Sequence, residues 1–341
     1  MNTRIAVIGA GAIGGITSAL IAKAGHDVTL VCKHREIADL ANGKGLSLTG
    51  VCGEQSIPVR AVCEIRELEG TFDLCLIATK AYDMPACAEQ MLPLLGQDSL
   101  VVSLQNGICT DAMAAVVGAD RTVGCVVGFG ATMHGPGKLE MTSTGEFVIG
   151  MANGSHPPLL DTLRDVLSSV VPTIISENIY AELYSKLIVN SCITSLGAIC
   201  GLRLGEMMQR RDARKIFLAI IREAVQVADA IQLTIPPYGG KLNYHTLMKG
   251  SSFLDDLRRH AMIRIVGIKY AKLKSSSLQS LERGRPTEID YFNGYIVKKG
   301  KEAGVPCPVN ERMVALVKEI EQGKRPIEVS NLSAPVLAKE A

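Results

Sequence analysis

The sequence predicts an α/β protein: a doubly wound parallel sheet in the N-terminal half, followed by a second, all-α domain. Three observations carry that expectation. Short apolar runs alternate with amphipathic stretches in the first half, and a glycine-spaced turn directly follows the first apolar run. The second half keeps only a 3.6-residue period. A length of 341 residues exceeds that of a usual single core, which also fits two domains.

The first element is Arg4-Ile5-Ala6-Val7-Ile8, an apolar run that reads as a buried parallel strand. It drops into Gly9-Ala10-Gly11-Ala12-Ile13-Gly14, which matches the G-x-G-x-x-G turn at the start of a helix. That helix spans 12–23 and is ended by Gly25. Gly9 permits the tight turn, Gly11 lets a pyrophosphate approach the backbone, and Gly14 lets the helix pack on the strand. Unpaired N–H groups and the helix dipole then favour phosphate charge. A glycine-rich turn also occurs as a plain corner, but the strand before it and the helix after it favour a dinucleotide site.

Further strands are expected at 27–31, 73–78 and 100–104, with a helix at 85–95. Ligands of such sheets sit beyond the carboxyl ends of the strands, which puts Lys80 and Asn106 where a cofactor would be. A glycine-spaced, β-rich stretch over 123–150 is expected to close the domain with antiparallel strands. The result is a Rossmann-like domain over 1–177.

From 178 the pattern turns helical, with segments at 181–199, 213–231, 253–263, 289–303 and 312–321. Pro236-Pro237-Tyr238-Gly239-Gly240 reads as a loop. These segments define an all-helical domain over 178–325, with a cleft between the halves. Beyond Gly323 the periodicity fades, and 326–341 reads as a loosely attached tail.

Bulk properties exclude several classes. A formal net charge of +2 speaks against a nucleic-acid or acidic-membrane partner. No stretch reads as long and apolar enough to span a bilayer, and the N-terminal run serves better as a strand than as a signal segment. Ten cysteines without a C-x-x-C pair, several in apolar runs such as those of Cys75 and Cys125, fit reduced thiols in a cytoplasmic protein. Cys/His clusters at zinc spacings are missing, so no metal site is expected. His26 reads as part of a helix-to-strand turn, Met207-Met208 and Met248 as helix packing, and Arg258-Arg259 and Lys298-Lys299 as solvated helix faces.

The second strand ends in Val31-Cys32-Lys33-His34-Arg35. NAD-preferring sites carry an acid here for the ribose 2′-hydroxyl. Lys33 and Arg35 suit a 2′-phosphate instead, so NADPH is the expected cofactor, with a solvated basic loop as the alternative. Farther on, Lys186, Asn190 and Thr194 recur at i, i+4 and i+8, a polar line on one face of an otherwise apolar helix. Such a line needs partners or a ligand, unless it is a solvent-facing stripe; spacing leaves both open. A second polar cluster runs from Ser275-Ser276-Ser277 to Asp290. Within it Pro286 and Thr287 suit a helix start that places Glu288 in the first turn.

The glycine turn, Ala78-Thr79-Lys80, Gln105-Asn106-Gly107, Gly130-Ala131-Thr132 with Gly135-Pro136-Gly137, Lys186 to Asn190, and the 276–288 stretch together resemble ketopantoate reductases. These are the 2-dehydropantoate 2-reductases, NADPH enzymes of pantothenate biosynthesis. The resemblance runs from Ile5 to about Pro326. It implies that Gly9, Ala10, Gly11, Ala12, Ile13 and Gly14 hold the pyrophosphate and that Lys33 meets the 2′-phosphate. Lys80, Asn106 and Ala131 would line the cofactor site, with Asn106 also near the substrate. Lys186 matches the general acid, Asn190 and Ser276 match substrate-binding positions, and Glu288 matches a carboxylate where cofactor and substrate meet.

One position departs from the pattern. The family commonly has a second asparagine one turn after the first, where this chain has Thr194, whose hydroxyl offers one donor against the amide's two. The implied activity is reduction of ketopantoate, a small 2-oxo acid, to pantoate in the cytoplasm, by a chain that can form a homodimer. A reductase of a different 2-oxo or hydroxy acid is the nearer alternative. A non-enzymatic NADP-binding regulator is the farther one, and it would not need Lys186, Asn190, Ser276 and Glu288 together.

Overall fold

A computed structural model describes residues 3–337. The chain forms two compact units, Met1–Leu183 and Tyr184–Ala341, and the division falls inside one long helix, Ile179–Cys200.

The described residues of the first unit form twelve strands: β1 (Arg4–Ile8), β2 (Asp27–Val31), β3 (Leu46–Gly50), β4 (Gln55–Ile57), β5 (Arg60–Val62), β6 (Phe72–Ile77), β7 (Leu95–Ser103), β8 (Thr122–Val127), β9 (Gly130–Gly135), β10 (Lys138–Ser143), β11 (Phe147–Met151) and β12 (Thr173–Ile175). Eight of them form one sheet in the order β12-β11-β8-β7-β6-β1-β2-β5. From β5 to β8 the six neighbours are all parallel. Such a sheet is buried on both faces, which is why Ile5, Val7, Leu74 and Leu76 belong to continuous apolar runs rather than alternating ones. The chain leaves β1 towards β2 and β5 on one side and later builds β6, β7 and β8 on the other. That reversal creates the crevice at the carboxyl ends of β1 and β6 where doubly wound sheets bind ligands.

The β-rich 123–150 stretch differs from the simple closure expected. Its outer strands, β8 and β11, pair antiparallel in the main sheet, whereas β9 and β10 form a hairpin in a separate sheet of order β4-β3-β10-β9. Gly128 and Gly145 make the exchange between sheets: a Cβ on Gly128 would lie 2.5 Å from the Glu146 carbonyl oxygen, and one on Gly145 would overlap Gly128. The helix expected at 85–95 is also shorter. It covers Met84–Met91 and gives way to a 3₁₀ turn, Leu92–Leu94, where Pro93 has no N–H to continue it.

The second unit is helical, with Leu204–Gln209, Arg211–Ala230, Tyr244–Met248, Phe253–Lys269, Ser276–Glu282, Asn293–Ala303 and Pro308–Glu321 following the long helix. The helix expected at 253–263 runs on to Lys269 from a capping box formed by Ser252 and Asp255. The one expected at 289–303 is broken into a 3₁₀ turn, Ile289–Tyr291, and a helix from Asn293. A buried network fixes the break. The Asn293 amide donates to Asn310 Oδ1 (2.9 Å), and the Asn310 amide and backbone N–H both donate to Glu223 Oε2. Arg259 is not on a solvated face: it is buried and donates to the carbonyls of Leu247, Met248 and Lys249.

Two further expectations change. By length and composition Ile179–Cys200 is apolar enough to cross a membrane, yet 78% of its apolar window is buried inside the protein. Its surroundings are those of a core helix: the Tyr184 hydroxyl donates to the Ala224 carbonyl (2.9 Å), and the Ser185 hydroxyl donates to that of Pro236 (2.8 Å). The segment after Gly323 is docked, not loose. The Asn331 amide donates to the carbonyls of Ile199 and Pro326 (both 2.9 Å), the Glu328 N–H also reaches Ile199, and Asn331, Leu332 and Leu337 are buried. Residues 338–341 of the expected tail lie outside the described part. Asn331→Ala is therefore expected to cost about 1–3 kcal/mol, read as a lower urea midpoint at unchanged slope. A loosely attached tail would leave the midpoint where it was.

Candidate active site

Four predicted cofactor positions line up along the carboxyl edge of the main sheet. Lys33 follows β2, the glycine turn follows β1, Lys80 follows β6 and Asn106 follows β7, and these strands are immediate neighbours in that order. Strands lie ~4.8 Å apart, so the four positions spread over roughly 14 Å.

The three glycines of the turn divide into two kinds. Gly9 has φ +109°, and a Cβ there would lie 3.0 Å from the backbone of Ala78 and Thr79. On Gly14 a Cβ would overlap the Gly9 carbonyl and come within 2.8 Å of the Ala78 Cβ. Both are glycine because the protein itself is tight. Around Gly11 nothing lies within 4 Å of such an atom, so the protein leaves space there that a ligand can use. Gly11 caps helix Ala12–Lys23 without a side-chain bond, and the first turn holds no acid. The first helical bond is Gly15 N–H to Gly11 O (2.8 Å), which leaves the N–H groups of Ala12, Ile13 and Gly14 without helical partners. A pyrophosphate fits this cradle.

On either side of the turn the strand ends are held together. The Ala78 N–H donates to Ile8 O, and the Leu104 N–H to Ile77 O. Gln105 fixes the turn that carries Asn106, because its buried amide donates to Ile77 O (2.9 Å) and accepts from the Ser103 hydroxyl. Lys33 is exposed, as is Arg35 at the start of helix Arg35–Asn42. Burial pushes the Cys87 thiol up, while the Thr79 side chain and the Lys33 charge pull it back. Ala131 is half-buried on β9, in the small sheet whose Leu139 packs on Gly15 of the glycine-turn helix.

In the second unit Lys186 and Asn190 are half-buried, whereas Leu187, Ile188, Ser191 and Cys192 between and beside them are buried. The polar line is thus neither a solvated stripe nor a sealed core face. Thr194 is buried and its hydroxyl donates to Asn190 O (2.7 Å), the back-bonding common for threonine in helices. Ser276 is exposed and opens the short helix Ser276–Glu282. Its neighbour Ser275 caps that helix by accepting from Leu278 N–H (3.2 Å) and donates to Thr194 O (3.4 Å). Gly197 makes the approach possible, since a Cβ would come within 2.5 Å of Ser275 Oγ. The start of the helix that carries Ser276 is held against the Thr194 turn in this way.

Glu288 is buried, at 8% exposure. It precedes the 3₁₀ turn rather than sitting in the first turn of a helix, because the buried Asn293 sets the helix start five residues later. The segment is anchored by Thr287, whose N–H and hydroxyl donate to Glu321 Oε1 (2.7 and 2.6 Å). Ser275, Gly197 and Glu321 were not singled out in the sequence as site-forming. Of the three, only Ser275 had a local signal, as a serine at a helix start.

Residues 5–154 match the family model described as ketopantoate reductase PanE/ApbA, and 178–321 match that of its C-terminal part. The chain belongs to the ketopantoate reductase family. Ketopantoate reductases are oxidoreductases acting on CH–OH groups, and so is this protein, with a nicotinamide dinucleotide as its cofactor. The 2-dehydropantoate 2-reductase of Archaeoglobus fulgidus is 27% identical over 94% of this chain and 98% of its own. A PanE/ApbA family ketopantoate reductase from Ralstonia eutropha JMP134 superposes with a TM-score of 0.80 at 28% identity, covering 94% of this chain and 99% of that one. The ternary structure of D-mandelate dehydrogenase with NADH and anilino(oxo)acetate shares the fold at TM-score 0.80 and 23% identity, with 94% and 99% covered.

Proposed function

We propose that this member of the family uses NADPH to reduce 2-dehydropantoate to pantoate, with Lys186 as general acid. The observation that carries the proposal is the half-buried line of Lys186 and Asn190 in a chain similar over nearly its whole length to 2-dehydropantoate 2-reductases. When bound, the reduced nicotinamide supplies a hydride to the ketone carbon. The Lys186 ammonium stabilises the negative charge growing on the ketone oxygen and gives it a proton. Glu288 orients that ammonium or accepts from a substrate hydroxyl. Asn190, Ser276 and Asn106 hold the substrate, and Thr194, whose proton is engaged with Asn190, offers an oxygen as acceptor. Lys80, Asn106, Ala131 and Glu288 line the cofactor, and Gly9 to Gly14 hold its pyrophosphate.

Following NADPH absorbance with a panel of 2-oxo acids tests the reading. Turnover of 2-dehydropantoate above the others is the expected result; turnover of another acid alone favours the second reading, a related reductase, which Thr194 keeps in view. Binding without turnover of any acid returns the chain to an NADP-binding regulator.

The preference for NADPH rests on Lys33 and Arg35, exposed at the end of β2 with no acid to select the 2′-hydroxyl. Lys33→Glu is expected to weaken NADPH binding by about 10- to 100-fold, as expected for loss of a charge-assisted bond, while NADH binding changes little. Equal losses in the two titrations would remove Lys33 from this role. None of the ten cysteines is in a disulfide, which supports a cytoplasmic location.

A further inference from the structure

Glu288 stands in a segment that runs back along a single helix, Pro308–Glu321. Three ties join the two. Thr287 donates to Glu321, Lys318 Nζ donates to Asp290 Oδ2 (2.6 Å), and Asn293 donates to Asn310. The ties leave the segment at every third residue and meet their partners in the reverse order, so segment and helix lie antiparallel. At 100° per residue Asn310, Lys318 and Glu321 fall within an arc of roughly 80°, which makes one face of the helix a splint for the segment.

Glu321 is the member of this splint that its own helix does not explain. It is the last residue of the helix, where the dipole disfavours an anion, and its side chain is only 12% exposed. A carboxylate in such a place is costly unless donors surround it. Thr287 supplies two, its N–H and its hydroxyl, to Oε1, and Lys318, shared with Asp290, stands 3.4 Å from Oε2. The Thr287 hydroxyl oxygen in turn accepts from Ile289 N–H (3.3 Å), and the Glu288 carbonyl accepts from Tyr291 N–H (2.9 Å). The main chain is thus held on both sides of Glu288, so its buried side chain starts from a fixed point. Such precision matters for a reacting group, which must be placed to within about 0.5 Å and loses up to ~100-fold in rate when displaced by ~1 Å.

We propose that Glu321 is a positioning residue: through Thr287 it sets where the Glu288 carboxylate stands, with Lys318 and Asp290 as the second tie. This role depends on that of Glu288 in the reaction proposed above. Glu321→Ala is expected to lower kcat/KM for 2-dehydropantoate by about 10- to 100-fold. Glu321→Gln, whose amide oxygen still accepts from Thr287, should restore most of it. Thr287→Val removes the hydroxyl and should lower turnover in the same direction, in a chain that keeps Glu321. A double-mutant cycle separates positioning from plain stability. In a Glu288→Gln background, either Glu321→Ala or Thr287→Val is expected to cost less than about 2-fold more. Glu319→Ala, two residues away on the same helix, removes the bonds to Arg312 and Arg325 and should lower Tm without slowing turnover. In the ligand-free protein, deuterium uptake by 285–292 is expected to quicken about tenfold in Glu321→Ala and to stay slow in Glu321→Gln and Glu319→Ala. Full turnover in Glu321→Ala or Thr287→Val, losses that multiply with that of Glu288→Gln, an equal loss in Glu319→Ala, or unchanged deuterium uptake in Glu321→Ala would overturn this proposal alone. Wild-type turnover in Glu288→Gln would overturn it together with the role given to Glu288.

Discussion

Lys186→Ala is expected to lower kcat for 2-dehydropantoate by about 10²- to 10⁴-fold, the usual contribution of a positioned general acid. NADPH affinity should hardly change, because the glycine turn and Lys33 belong to the first compact unit and Lys186 to the second. The fold should survive as well: Lys186 is half-buried, and the helix is held by its buried neighbours Leu187 and Ile188 and by Tyr184. Lys186→Arg keeps the charge but gives a guanidinium that does not release its proton in the working pH range. It is expected to recover part of the charge stabilisation and none of the proton transfer, so its rate should lie between the other two. Steady-state kinetics beside a fluorescence titration of NADPH separates these effects. Near-wild-type turnover by Lys186→Ala would end the assignment.

The second large effect contrasts two glycines only three residues apart. Gly14→Ala puts a methyl group into the Gly9 carbonyl and within 2.8 Å of the Ala78 Cβ. The helix must then move away from the strand, at a cost of about 1–3 kcal/mol for overpacking, and the N–H cradle moves with it. Both Tm and NADPH binding are expected to fall. Gly11→Ala adds the same methyl where the protein leaves open space. Its Tm should match the wild type, yet NADPH affinity should drop sharply because the methyl stands where the pyrophosphate approaches. Unchanged NADPH affinity in Gly11→Ala would mean that the phosphates lie elsewhere.

How far the sequence could be read follows from which interactions are local. The bounds of β1 and β2 were legible to the residue, because both strands are buried on both faces and end in polar or glycine turns. The strand-end positions of Lys80 and Asn106 were legible too, because each follows an apolar run, but the strand order that lines them up was not. The split of 123–150 between two sheets was not legible, since it depends on β10 pairing with β3, some ninety residues earlier in the chain. Nor could the break before Asn293 be seen. It is set by Asn310 and Glu223, which the helical period does not distinguish from surface residues. In the same way nothing in the sequence tied Gly197 and Ser275 to Thr194 until the fold brought them into contact.

The docked segment around Asn331 also bears on synthesis. The long helix that carries Lys186 ends near Ile199, and the carbonyl of Ile199 is satisfied by Asn331, 132 residues further along. At roughly 5–20 residues per second, Asn331 is made about 7–26 s after Ile199. During that interval the end of the helix lacks its lid and the apolar positions later covered by Leu332 and Leu337 are open to water. The first unit, complete by Leu183, can fold while the ribosome is still at work. The second is sealed only once Asn331 and Leu337 have been made, which leaves it open to chaperones and proteases for longer than the first.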